Sequence, residues 1–286
     1  MRDQTPASAG VLLFVPGNTP QRFAKAIEAP ADLIIFDLED AVAPEQKDVA
    51  RESVHGWIAA HGHDHLVVRI NADGTCWHDD DIGLARATGC AVMIPKAEDA
   101  DALAKTCDAL GADQPVIALI ETARGVRAAA DVSAVPGVVR TAFGSIDLAA
   151  ELGIDHDDRA AMLHARSTLV IAAAAAGLAP PIDGVTTAVR DDTKVSDDVR
   201  YARSLGMTGK LCIHPAQLAP ARRALAPTPE EIAWATAVVA AARAGHGAVA
   251  VDGRMVDKPV VDRANRLLQL ASTPRERPDN AHLEPR

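Results

Sequence analysis

Aromatic side chains are scarce in this sequence: four Phe, three Trp and one Tyr make up 3% of its 286 residues. A core without large rings has to be assembled from Ala, Val, Leu and Ile, which suits strands buried on both faces with small-residue helices packed over them. A surplus of positive charge is also missing. The formal net charge is −10 and the pI about 5.4. That argues against a nucleic-acid or anionic-membrane surface, since both need a basic face. An anionic substrate stays open, because local Arg, Lys and a metal ion can reverse the field inside one cleft. No C-x-x-C spacing joins Cys76, Cys90, Cys107 and Cys212, so buried or incidental thiols in a reducing compartment are expected. No apolar run approaches membrane-spanning length, and Met1 to Gly10 has no charged-then-apolar signal pattern, so the expected location is the cytoplasm. A G-x-S-x-G elbow, a G-x-x-x-x-G-K-[ST] loop and a strand-linked G-x-G-x-x-G are all absent. The ten histidines are scattered; His61-Gly62-His63-Asp64-His65 reads as an exposed loop, with zinc binding as the minor alternative.

What is present is a long alternation of apolar runs and helical stretches. The runs are Val11 to Val15, Leu33 to Phe36, Leu66 to Ile70, Ala91 to Ile94, Val116 to Ile120, Val138 to Gly144, Pro181 to Val185 and Lys210 to Ile213. Eight β-runs separated by helices predict a (β/α)8 TIM barrel over residues 1–226. Thr19 is expected to N-cap the first helix, with Pro20 at its first position. Residues 227–271 read as a C-terminal helical extension. It opens on the capped start Thr228-Pro229-Glu230-Glu231 and continues through a loop or hairpin to a final helix, Val260 to Leu270. Residues 272–286 are Pro-rich and charged and are expected to be disordered.

The polar residues at the ends of the runs carry the functional signal. Asp37, Arg69, Lys96, Glu121, Asp147, Asp183 and His214 all fall at or just beyond the C-terminal end of a run. In a closed barrel those ends share one face, and that face carries the active site. Glu121 and Asp147 read as the two protein ligands of a Mg2+ ion, or else as carboxylates that cap the helices behind them. Arg69 interrupts an apolar strand and must be paired: it bridges to Asp37 or Asp40, or its fork grips a substrate carboxylate, and the two can hold in turn, without and with substrate. Asp37, Glu39 and Asp40 are too close for all three to face one cavity, so at least one orients Arg69 or holds metal-bound water. Lys96 neutralises an anionic substrate or pairs with Glu98, and His214 reads as a positioning residue rather than a base.

These residues sit in recognisable motifs. Leu13-Phe14-Val15-Pro16-Gly17-Asn18, Phe36-Asp37-Leu38-Glu39-Asp40-Ala41-Val42, Val68-Arg69-Ile70-Asn71, Pro95-Lys96 and Ile120-Glu121-Thr122-Ala123-Arg124-Gly125 occur in order. Phe143-Gly144, Asp147-Leu148 and Cys212-Ile213-His214-Pro215 follow. Together they resemble the citrate lyase β-subunit-like group of the HpcH/HpaI aldolase superfamily, over about residues 10 to 271. The resemblance implies a TIM barrel assembled as a homotrimer or a multiple of one, with Mg2+ on Glu121 and Asp147. It implies carbon–carbon cleavage of a 3-hydroxyacyl thioester such as citryl-, malyl- or citramalyl-CoA into an acyl thioester and a 2-oxo acid. Arg69 would meet the oxo acid, with Glu39, Lys96, Gly144 and His214 around the substrate. Asn18, Arg22 and Lys25 would meet the carrier's phosphates. Gly253-Arg254-Met255-Val256-Asp257 matches a segment that in relatives reaches into a neighbouring subunit, making Asp257 the candidate acid/base, with Asp37 and Asp40 as the other candidates. A β-subunit acting on an acyl carrier protein within a citrate lyase complex, and a thioesterase or aldolase using the same metal site, are the alternatives.

Overall fold

Residues that are apolar on both faces of an extended segment can be satisfied only between two layers, and each apolar run here becomes a parallel strand with a helix outside it. The computed structural model describes residues 5–244, 249–251 and 254–272. The strands are β1 (Val11–Pro16), β2 (Leu33–Asp37), β3 (Leu66–Arg69), β4 (Ala91–Ile94), β5 (Val116–Ile120), β6 (Val138–Phe143), β7 (Ile182–Asp183) and β8 (Gly209–Cys212). They close into one barrel in sequence order, with β1 pairing both β2 and β8. The flanking helices are α1 (Phe23–Glu28), α2 (Lys47–His61), α3 (His78–Thr88), α4 (Ala100–Leu110), α5 (Ala123–Arg127), α6 (Ala129–Ser133), α7 (Ser145–Leu152), α8 (Arg159–Ala175), α9 (Asp192–Ser204) and α10 (Leu218–Leu225). The TIM barrel expected from the alternation is the fold observed.

Leu12, Leu33, Ile35, Val67, Met93, Ile117, Leu119, Ala142, Ile182 and Leu211 fill the barrel interior. Strand periodicity is two, so two residues beyond Ile35, Val67 and Leu119 come Asp37, Arg69 and Glu121, still on the inward side at the C-terminal rim. The register places Asp37 directly opposite Arg69. At the other end of β6, Arg140 is 1% exposed and donates to the carbonyls of Pro180 (2.7 Å) and Ala9 and to the Thr208 hydroxyl (3.0 Å). It ties the segment before β1 to the base of the barrel.

Local signals mostly act as expected. Asp99, Asp158 and Asp191 cap α4, α8 and α9 with their side chains. Thr19 is a correction: it makes no side-chain cap, and its hydroxyl instead donates to the Pro16 carbonyl at 2.7 Å. Pro20 does begin the helical segment, as a short 3-10 turn that leads into α1.

The chain divides into two compact units, Met1–Ala221 and Arg222–Arg286. The second contains α11 (Pro229–Ala244), an antiparallel hairpin of β9 (Val249–Val251) and β10 (Arg254–Val256), and α12 (Lys258–Ser272). A reciprocal capping box starts α11: Thr228 N donates to Glu231 Oε2 (2.9 Å) and Glu231 N to Thr228 Oγ1 (3.2 Å). Ala235, Val238, Ala264 and Leu267 form this unit's core. Gly253 and residues 273–286 of the expected tail lie outside the described residues. Among the described residues no helix is long and apolar enough to cross a membrane.

Candidate active site

The rim of β2, β3, β4 and β5 carries a dense charge network. Arg69, at the end of β3, offers Nε and Nη2 to the two oxygens of Asp37 at 2.7 and 2.6 Å. Asp37 also accepts from the backbone N–H groups of Glu39 (2.9 Å) and Ala41 (3.1 Å). Its oxygens are fully committed. The Arg69 fork is therefore occupied from below, and Nη1 alone faces the cleft, 3.2 Å from Glu39 Oε2 and 3.7 Å from Asp40 Oδ2. The ion pair read from the sequence is present, with Nε and Nη2 both engaged by Asp37. Burial alone would depress the guanidinium, but Asp37, Glu39 and Glu121 outweigh it and hold it charged. The ring of Phe14 lies 4.8 Å beneath it.

Glu39 is 4% exposed and is pushed above the usual carboxylate range by burial, against the pull of Arg69 and Lys96. Lys96 Nζ pairs with its Oε1, so Lys96 meets Glu39 rather than Glu98. Oε2 faces Arg69 but has no partner at hydrogen-bonding geometry. Asp40 is half-exposed, at 53% of its side chain.

Glu121 follows β5 directly and is 2% exposed. Its Oε1 accepts from Lys96 N at 2.9 Å, a bond that holds Lys96 in the left-handed region at φ +48°. Burial, with Glu39 and Asp147 adding to it against Arg69, raises the Glu121 carboxyl to about 8. Gly144 ends the neighbouring strand, and a Cβ there would lie 2.3 Å from Glu121 Cβ and 2.6 Å from Oε2. The glycine is thus the floor on which Glu121 rests, and any larger residue would push that carboxylate aside. Asp147 stands in the first turn of α7, close enough to raise Glu121, and makes no hydrogen bond or ion pair with the described residues. It is not acting as a side-chain cap.

Two rim residues do not join this cluster. Ile182 faces the barrel interior, so Asp183, one residue on, points outward into the helical layer, where it meets Arg166 (2.8 Å) and Lys210 (3.0 Å). His214 Nδ1 accepts from Ala216 N at 3.1 Å and so caps a short 3-10 turn. On the β1 loop, Asn18 donates to Gln46 Oε1 at 2.5 Å while its own Oδ1 lacks a partner, and Arg22 and Lys25 are exposed. Asp257 caps α12, accepting from Val260 N at 3.2 Å, and is exposed within the second unit. The histidine-rich loop gathers no metal set: His61 stacks on Trp57 with ring centroids 3.9 Å apart, and the described residues hold no group of three or more His, Cys, Asp or Glu suited to a metal.

Sequence reasoning missed Lys47. It is 6% exposed and donates to the carbonyls of Leu38 and Glu39, both at 2.7 Å, with Trp77 5.3 Å away. It fixes the backbone that presents Glu39. One signal was available: a lysine in a helix's first turn opposes the macrodipole and needs another reason to be there. Asp81 does the same for the turn after Arg69, accepting from Asn71 N (2.9 Å), Asn71 Nδ2 (2.6 Å) and Arg51 Nε (2.8 Å).

Among the rim carboxylates, the buried Glu121 and the half-buried Asp147, the latter without a hydrogen-bond or ion-pair partner among the described residues, thus stand beside a fixed guanidinium. That is a place for a hard cation and a carboxylate-bearing ligand. Comparison with known proteins agrees. Residues 11–215 match the HpcH/HpaI aldolase/citrate lyase family. The citrate lyase subunit beta-like protein of Mycobacterium tuberculosis is 40% identical over 266 residues, covering 91% of this chain and 94% of its own. The (3S)-malyl-CoA thioesterase of Cereibacter sphaeroides is 38% identical over 271 residues, covering 91% and 93%. The crystal structure of CitE from Mycobacterium tuberculosis in complex with magnesium, acetoacetate and coenzyme A superposes with a TM-score of 0.83 at 38% identity, covering 93% of this chain and 100% of that one.

Proposed function

Because the chain belongs to the HpcH/HpaI aldolase/citrate lyase family, we propose that it is a Mg2+-dependent carbon–carbon lyase acting on a 3-hydroxyacyl-CoA thioester, releasing an acyl thioester and a 2-oxo acid. The observation that carries this reading is the unpartnered Asp147 beside Glu121, whose carboxyl is raised to about 8, with Arg69 Nη1 facing the same cleft. The donor set fits Mg2+: two carboxylates and no nitrogen or sulfur, for an ion that keeps several waters. Glu121 and Asp147 would hold it, and when bound it supplies Lewis-acid polarisation of the oxo-acid oxygens.

The rest falls to the chain's own residues. Arg69 Nη1 places fixed positive charge where negative charge develops on the departing oxo acid. Asp37, with every oxygen lone pair directed at Arg69 or backbone, orients that guanidinium and is not the acid/base. In the cleavage direction a carboxylate takes the proton of the 3-hydroxyl. The bond between the 2- and 3-carbons breaks, the hydroxyl carbon becomes the carbonyl of the oxo acid, and the electron pair stays on the thioester α-carbon as an enolate. That carbon then takes a proton. We assign the carboxylate to Asp257 of a neighbouring copy in a homotrimer, with Asp40 as the remaining candidate in the 37–40 segment. Arg22 and Lys25, exposed beside the β1–α1 loop, would meet the phosphates of coenzyme A, with Asn18 of the same loop beside them. An acyl carrier protein arm would use the same approach.

Calorimetric titration with oxaloacetate, glyoxylate and pyruvate, each in Mg2+ and in EDTA, tests the reading. Binding of one oxo acid in Mg2+ alone supports the lyase and names its fragment; no binding of any of the three overturns it. The similarity to a malyl-CoA thioesterase supports a second reading, hydrolysis of the thioester. Free coenzyme A released from malyl-CoA without glyoxylate would favour that reading. Asp257→Ala should slow turnover on the order of a hundredfold or more while leaving Mg2+ affinity unchanged. Activity regained on mixing Asp257→Ala with Arg69→Ala chains places the acid in the neighbouring copy; no regain removes that assignment.

A further inference from the structure

The loop that follows β7 carries no residue used in the chemistry above, yet buried side chains fasten it along its length. Lys210 Nζ, which pairs with Asp183 at 3.0 Å, also donates to the Gly184 carbonyl. The Thr186 hydroxyl donates to Asp198 Oδ2 at 2.9 Å. Gln217 Nε2 donates to the carbonyls of Thr186 (2.7 Å) and Ala188 (3.3 Å), while its Oε1 accepts from Ile213 N at 2.9 Å. Asp183, Thr186, Lys210 and Gln217 are each no more than 2% exposed. Buried polar groups satisfied in this way make the segment they hold rigid.

Gly184 is where this loop meets the rim. A Cβ there would lie 2.4 Å from Ser145 Oγ and 2.9 Å from both Ser145 Cβ and the Phe143 carbonyl oxygen. Its φ lies outside the left-handed region, so close approach and not backbone conformation demands the glycine. Ser145 opens α7, and Asp147 stands in the same turn. No side chain fixes that turn from within: its N-cap is Gly144, and Asp147 makes no hydrogen bond or ion pair with the described residues. The turn is instead clasped from outside, by Glu121 against Gly144 and by Gly184 against Ser145. We propose that the loop after β7 is a rigid buttress that sets the position of Asp147, with Gly184 as its point of contact and Lys210 and Gln217 as the side chains that hold it. Its consequence for the metal rests on the reading of Asp147 as a Mg2+ ligand.

Gly184→Ala should lower Mg2+ affinity about 10- to 100-fold, the range for groups that orient a metal ligand. Set into Asp147→Asn, it should cost little further affinity, because the ligand it displaces is already gone. In crystals of the metal-free Gly184→Ala chain, Ser145 and Asp147 should have moved by about 1 Å, the shift that brings the new methyl to van der Waals contact, with residues 183–188 in place. Gln217→Met loosens the loop without adding bulk at Gly184, and should lower Mg2+ affinity about tenfold; it carries the test if Gly184→Ala does not fold. A loop that yields while α7 stays, a Gly184→Ala loss that persists in full in Asp147→Asn, or an unchanged affinity in Gln217→Met overturns the proposal. Asp147→Asn that by itself leaves Mg2+ affinity unchanged removes the metal reading instead, and the displacement measured without metal still decides the buttress.

Discussion

Asp147→Asn should lower Mg2+ affinity on the order of a hundredfold or more, because it removes one of the two protein ligands proposed above, while shifting the melting temperature of the metal-free protein little. The side chain makes no hydrogen bond or ion pair with the described residues that the fold would miss. Glu121→Gln should lose Mg2+ equally and yet behave differently without metal. The Glu121 carboxyl is raised in the fold to about 8 by burial and by Glu39 and Asp147. For an acid raised in this way the native state is favoured below the unfolded value, near 4.3, and that advantage is lost as pH climbs towards 8. Metal-free protein should therefore lose stability between about pH 5 and 8, and Glu121→Gln should flatten that slope. Mg2+ needs the ionised carboxylate, so binding near pH 7 should release roughly one proton per ion, and affinity should rise with pH until about 8. Titrations in buffers of different ionisation enthalpy measure the proton directly. Unchanged Mg2+ affinity in either variant would remove that residue from the metal site.

The fold was legible because parallel strands buried on both faces leave unbroken apolar runs, and each of the eight runs became a barrel strand. The site was legible where a charge broke such a run at its end, as at Arg69 and Glu121. Asp183 shows the limit of that rule. It too ends a run, but it alternates with the inward-facing Ile182 and so turns towards Arg166; counting by twos from the interior residues would have separated it from Asp37 and Glu121. Lys47 and Arg140 were missed for another reason. Both act by long side chains that reach backbone carbonyls many residues away, and such bonds leave no periodic mark in sequence. Thr19 failed as a cap because its hydroxyl found the Pro16 carbonyl, a local competitor that residue type alone cannot reveal.

Arg69→Met should be among the most destructive single changes on the rim, costing about 3–5 kcal/mol of stability as well as activity. The loss has two sources that can be separated. One is structural: Asp37 is 1% exposed and would be left buried without the two bonds from Arg69. The other is functional: Nη1 is the fixed positive charge facing the cleft, and Arg69 is also the cation that holds Glu121 down against its carboxylate neighbours. Adding Asp37→Asn to Arg69→Met removes the stranded charge, so the double variant should regain most of the lost stability and none of the activity. Arg69→Lys should fall between: the charge remains, but a single ammonium cannot satisfy both Asp37 oxygens while reaching the cleft. Melting curves and kcat across the cycle read the two effects independently. Recovery of activity along with stability in the double variant would mean that Arg69 serves the fold alone, and the charge facing the substrate would then have to come from Lys96, whose ammonium already shares Glu39 with it.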